Sequence, residues 1–365
     1  MKKVHEILFS PLNNVDRDSF ISNYKSLKFH DIKYFHEKIL SDKLSSIFLE
    51  YFEKNNLIDV IDKEELNKII YQSQRFQIQN LQISKEIVFL SKLFKKANLN
   101  PIFLKGSALL KEYNDLSLRS MVDIDILFNS DELIDAYSLL KNNNFKELRY
   151  KSLSKKDLLI YSKNVHHLPE LIGDSNISIE LHHRLTKIND FENCPITESI
   201  FSNFRKINFL NEEINIPSID EVITHQLIHF SLNAKYTNQL RTFYDLKQIE
   251  KNHQINWLKI FSKNDNLKIK KTLSISLAVI NRYSLITNSF NKLRNELIEY
   301  FPKDETVDYL VNETLKVHKN SKSNYFFEKI YIFLNLIKSK NIFKMITRLN
   351  KWIFFKVRMF FKLKR

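Results

Sequence analysis

Glycine is nearly absent from this chain: two occur in 365 residues, Gly106 and Gly173, alongside six prolines and one cysteine. The lone Cys194 excludes an internal disulfide and a cysteine-built zinc site, and fits a reducing compartment. So few turn-formers among 43% hydrophobic residues point to a mainly helical protein with short connections. The length allows a substantial core in two or three units. No stretch approaches the roughly 18 uncharged apolar residues of a spanning helix. The start, Met1-Lys2-Lys3-Val4-His5-Glu6, lacks the apolar run of a secretory signal. The expected location is the cytoplasm, soluble or peripheral to a membrane.

Acidic charge is scarce at the C-terminal end. From Tyr325 to Arg365, eight lysines and three arginines face one glutamate, so most of the net charge of +15 belongs to this tail. Phe, Ile, Leu and Trp352 are set among these cations, without Pro or Gly, as in one or two basic amphipathic helices. Packing on the body is the first reading, an anionic membrane surface the second and nucleic acid the third.

Where glycine does occur, the backbone must turn tightly or approach something closely. Gly106 lies in Lys105-Gly106-Ser107, after the apolar run Ile102-Phe103-Leu104 and before a second apolar stretch carrying Asp123 and Asp125. The pattern predicts strand, turn, helix, strand. Residues i and i+2 of a strand share a face. Asp123 and Asp125 therefore point one way, while Val122, Ile124, Ile126 and Phe128 take the buried side. Carboxylates about 4 Å apart repel by roughly 4 kcal/mol at an effective dielectric near 20, so the pair needs a proton or a cation between them. Oxygen ligands favour Mg²⁺, which completes its shell with phosphates. Free amides at the start of a helix at Gly106 and Ser107 suit an anion. The plain alternative is a surface strand with two solvated aspartates.

A third motif lies at Ile177–Arg184. Alternation buries Ile177, Ile179 and Leu181 and turns Ser178, Glu180 and His182 to the other face.

On these residues the chain resembles the DNA-polymerase-beta-like nucleotidyltransferase superfamily, whose signature is Gly-Ser followed by an acidic pair. More closely, the run from Leu104 to Leu110 and that from Leu118 to Leu127 resemble a bacterial branch of uncharacterised nucleotidyltransferases. The resemblance implies two Mg²⁺ ions, with Mn²⁺ as an alternative, held by Asp123, Asp125 and a third carboxylate from a later strand. Glu180 fits that place, although the superfamily has Asp there and the longer side chain alters ligand geometry. It also implies phosphate binding by Gly106 and Ser107, with Lys105 or Arg119 balancing charge. The implied reaction moves a nucleoside monophosphate from an NTP such as ATP to an acceptor hydroxyl on a sugar, small metabolite, protein or RNA. Two other readings stand beside it: a non-catalytic nucleotide-binding or interaction protein on the same fold, and a basic membrane-surface or RNA-binding helical protein.

The expected fold class is α+β. A helical region over 1–98 leads into a small mixed-sheet core at 99–215, then a helical region at 216–324 and the basic tail at 325–365. Apolar spacing predicts one or two helices between Glu64 and Lys96, stopped by Asn98 and Asn100. Ser130 or Asp131 caps a helix to about Asn142, and strands are expected within 145–150 and 164–172. His166 and His167 fall in the latter. His225 and His229 share a helical face without the glutamate of a zinc protease, and read as core or cleft histidines. Arg241 and Asp245, four apart on a helix, read as an ion pair.

Overall fold

Asp62 opens the longest helix. Its carboxylate accepts hydrogen bonds from the amides of Glu64 and Glu65 at 2.9 and 3.1 Å, pairing two donors that a helix start leaves free. Lys63–Lys96 then runs as a single helix of 34 residues, roughly 50 Å long at 1.5 Å per residue. Leu66, Ile69, Phe76, Ile83, Ile87, Leu90 and Phe94 are buried along it, on the spacing that one helical face requires. It stops where the sequence places the turn, with Asn98 in the left-handed region at φ 57°.

The computed structural model describes residues 2–150, 152–186, 195–233, 239–264, 266–282, 293–315, 355–356 and 358–363. Their strands are β1 (Ile102–Phe103), β2 (Asp123–Leu127), β3 (Lys146–Glu147), β4 (Leu171–Ile172), β5 (Ser178–His182), β6 (Phe204–Phe209) and β7 (Glu212–Pro217). They form one mixed sheet in the order β3-β4-β5-β2-β1-β7-β6. Central β2 lies antiparallel to β1 and parallel to β5, and Ile124 and Ile126 on it are fully buried. Helices precede the sheet at Arg17–Lys25, Phe29–Ser41 and Ser45–Lys54, and follow it at Ile219–Ile228, Leu240–Asn252 and Leu267–Asn281. The mixed sheet set among helices is the α+β architecture expected.

The N-terminal helices close over an aromatic cluster. Phe35 meets Phe48 edge-on at 5.6 Å, and Phe48 meets Phe52 at 5.7 Å, geometries that favour ring edges against ring faces.

Local details differ from the sequence reading. Val122 is 38% exposed, because β2 begins only at Asp123 and the alternation does not reach back to it. The helix after β2 starts at Leu133, with neither Ser130 nor Asp131 as its cap; the main chain of Asn129 holds that turn instead. The strand expected within 145–150 shrinks to Lys146–Glu147, and that within 164–172 to Leu171–Ile172 plus an isolated bridge from His167 to His182. The β6–β7 hairpin turns on Leu210 and Asn211, both with positive φ, as a two-residue turn of this hand demands.

Most of the tail lies outside the described residues. Where it is described, it packs: Phe355 and Met359 are buried, and Arg358 contacts Asp157 at 2.6 and 2.8 Å. Phe360 and Phe361 are exposed beside them. Among the described residues, no helix is long and apolar enough to cross a membrane.

Candidate functional site

The parallel register of β2 and β5 sets Asp125 directly beside Glu180, and Leu127 beside His182. Asp125 is buried, and its Oδ1 accepts hydrogen bonds from Lys105 Nζ at 2.6 Å and from His182 Nε2 at 2.8 Å. His182 Nε2 also lies 3.3 Å from Glu180 Oε2. The imidazole thus bridges the two carboxylates that the register brings together.

The electrostatics follow from burial and these contacts. Burial and the neighbouring Asp125 charge push the Asp123 carboxyl up to about 6. Burial opposes the charge on Asp125 too, but Lys105 and His182 outweigh it and hold that group well below the usual carboxylate range. For His182, burial works against protonation, and hydrogen bonds to Asp125 and Glu180 overcome it, leaving the ring above its ordinary value. The strand therefore carries two aspartates of opposite tendency, one readily protonated and one held ionised.

A small open cleft of about 50 Å³ lies beside these strands, lined among others by Lys105, Gly106, Arg119, Asp123, His229 and Arg241. Gly106 meets it for a steric reason. A Cβ there would stand 2.9 Å from Met121 Cγ, so the glycine permits the turn to pack on the loop before β2. The residue with left-handed backbone is its neighbour Lys105, at φ 47°. Lys105–Ala108 is a single helical turn in which the Ser107 amide already bonds Leu104 O at 3.1 Å. That amide is therefore not the free donor the sequence suggested. The Ser107 hydroxyl is buried without a hydrogen-bond partner among the described residues.

Arg119 is buried and committed elsewhere. Its Nε donates to Asp245 Oδ1 at 2.8 Å, and the same oxygen accepts from Tyr113 Oη at 2.7 Å. Asp245 thus takes Arg119 rather than Arg241, whose Nη1 donates to Ser120 O and Oγ at 3.1 and 3.3 Å. The helix spacing allowed the local pair, and the buried tertiary partner displaces it. His225 and His229 both line the cleft, and burial holds His229 near 4.

Asn80, midway along the long helix, is a residue that sequence reasoning missed. Its Nδ2 donates to Leu116 O and Arg119 O at 2.6 and 2.9 Å, and its Oδ1 accepts from the Met121 amide at 3.0 Å. One side chain thereby fixes the loop that leads into β2. Its only sequence signal is a polar residue on the buried stripe of an amphipathic helix.

Among the described residues, one group has the spacing to hold a metal ion: Asp125, Glu180 and His182, whose ligand atoms lie within 4.8 Å of one another. Two carboxylates and an imidazole suit a first-row divalent ion as well as a harder one. Carboxylates paired across parallel strands and faced by basic side chains make a site able to handle cation-bound phosphates.

A sequence profile described as uncharacterised nucleotidyltransferase matches residues 35–284, and the chain belongs to this family. Among solved structures, it is similar to an antigenic nucleotidyltransferase-like protein from Paracoccidioides brasiliensis, at 11% identity and a TM-score of 0.34. That match covers 60% of this chain and 91% of the other. No curated protein matches the chain in sequence.

Proposed function

We propose that this protein transfers a nucleoside monophosphate from an NTP to an acceptor hydroxyl, using carboxylates of β2 and β5. The observation that carries this is the cross-strand pairing of Asp125 with Glu180 beside the Lys105-Gly106 turn, within a matched nucleotidyltransferase family. A divalent cation bound there, Mg²⁺ or Mn²⁺, supplies positive charge to the phosphoryl oxygens and makes the acceptor hydroxyl more acidic. Asp125 and Glu180 would hold it, with Asp123 at the cleft side, and His182 would join as a further ligand after losing the proton it shares with them. Lys105 offsets the charge of Asp125 until substrate enters and then turns to a phosphate oxygen. Gly106 keeps the turn packed on Met121 at the wall of the cleft.

One observation favours a second reading, a nucleotide-binding protein without catalysis. Lys105 and His182 already compensate Asp125, so the carboxylates are stable without an added cation. Calorimetric titration with a non-hydrolysable NTP, with and without Mg²⁺ or Mn²⁺, separates the two. Catalysis predicts binding that strengthens at least tenfold with the cation and loses that gain in Asp123→Asn. Cation-independent affinity, equal in Asp123→Asn, selects the second reading.

A further inference from the structure

Two cations stand at this cleft outside the sheet, Arg241 in its wall and Lys43 tied through its carbonyl to the wall residue Ser120, and neither has a carboxylate ion-pair partner among the described residues. The first is Arg241, whose Nη1 donates to the oxygens of Ser120. The second is Lys43, just past the end of the helix Phe29–Ser41. Its carbonyl accepts from Ser120 Oγ at 3.2 Å, which ties it to the same residue that holds Arg241. The charges acting most on the Lys43 ammonium come from Arg241, Asp123 and Arg119, all residues of the cleft wall.

A buried clamp fixes both. Lys38 Nζ pairs with Asp42 Oδ1 at 3.0 Å, with both side chains fully buried. Asp42 Oδ2 accepts from the amide of Leu240 at 2.8 Å. Asp42 directly precedes Lys43, and Leu240 directly precedes Arg241. The Asp42–Leu240 hydrogen bond therefore joins the end of one helix to the start of another, one residue away from each cation.

Lys105 pairs with Asp125 and Arg119 with Asp245, which leaves Asp123 as the cleft carboxylate acting on Lys43 and Arg241. Two cations against one carboxylate leave positive charge over, in surroundings that penalise it. Burial and the neighbouring Arg119 lower Arg241 to about 10, while burial and Arg241 lower Lys43. An anion entering the cleft relieves both.

We propose that Lys43 and Arg241 form a polyphosphate-binding subsite that receives the phosphate chain of the nucleotide. This deepens the nucleotidyltransfer reading and rests on it. The backbone supplies a discriminating variant. Lys43 sits at φ 60°, a left-handed position that glycine occupies without strain. Lys43→Gly therefore removes the ammonium while keeping or improving the fit of the main chain.

The test is calorimetric titration of wild type, Lys43→Gly and Arg241→Lys with sodium tripolyphosphate and, separately, with an NTP plus Mg²⁺, alongside thermal melting. A lost charge-assisted contact predicts roughly tenfold weaker binding of both probes by Lys43→Gly, at an unchanged or higher melting temperature. Arg241→Lys, which keeps the charge, retains part of the affinity. If wild type binds the NTP and Lys43→Gly binds both probes as tightly, the subsite is wrong and nucleotidyltransfer stands. If wild type binds tripolyphosphate through Lys43 but not the NTP, the anion subsite stands and the nucleotide reading falls. If wild type binds neither, both are overturned.

Discussion

Asparagine in place of Asp125 is expected to lower nucleotidyl transfer by about 10³-fold or more while the protein stays folded. Asp125 is central to the proposed chemistry. It is buried, paired with Glu180 in register, and bonded to both Lys105 and His182. The substitution keeps the shape of the side chain and deletes its charge. Loss of a preorganised electrostatic group typically costs about 10²–10³ in rate, and a cation ligand is lost here as well. A thousandfold change corresponds to about 4 kcal/mol of barrier. The check is the transfer rate at saturating NTP and cation, with circular dichroism to confirm folding. A variant that keeps more than about a tenth of the rate would place the reaction elsewhere.

The largest loss of stability is expected from Asp245→Ala. Asp245 and Arg119 are almost wholly buried, and Tyr113 Oη shares the same carboxylate oxygen. Deleting the acid leaves a guanidinium without a counter-charge inside the protein. Breaking a buried pair from one side commonly costs about 3–5 kcal/mol, far more than the 0–1 kcal/mol of an exposed pair. Because Arg119 also anchors Ser120 O, the loop into β2 should loosen with it. Urea unfolding measures the loss, and Asp245→Asn, which retains a partner for Tyr113, should lose less. A change below about 1 kcal/mol in Asp245→Ala would show that this pair does not hold the loop.

Sequence periodicity made the strands that carry the candidate carboxylates legible because it acts locally. The two-residue spacing put Asp123 and Asp125 on one strand and Glu180 on another, and scarcity of glycine singled out Gly106. The long helix was visible in the spacing of its apolar residues, as was its stop at Asn98. What stayed hidden depends on partners far apart in the chain. Asp42 bonds the amide of Leu240, and Asn80 bonds the loop before Met121; nothing beside either residue in the sequence announces this. Asp245 had a plausible partner four residues away and took Arg119 instead, while Arg241 bonds Ser120. The left-handed backbone at Lys43 and Lys105 was equally concealed, because lysine gives no sign of positive φ.

The central claim is nucleotidyl transfer, and the label position on the donor tests it most directly. The purified protein would be incubated with cell extract, a divalent cation and an NTP carrying label at the α-phosphate or, in parallel, at the γ-phosphate. The account predicts that α-label becomes attached to an acceptor and γ-label leaves in pyrophosphate, neither occurring with Asp125→Asn. Transfer of γ-label to the acceptor, or no transfer of either label by a folded protein that binds the NTP, would contradict it.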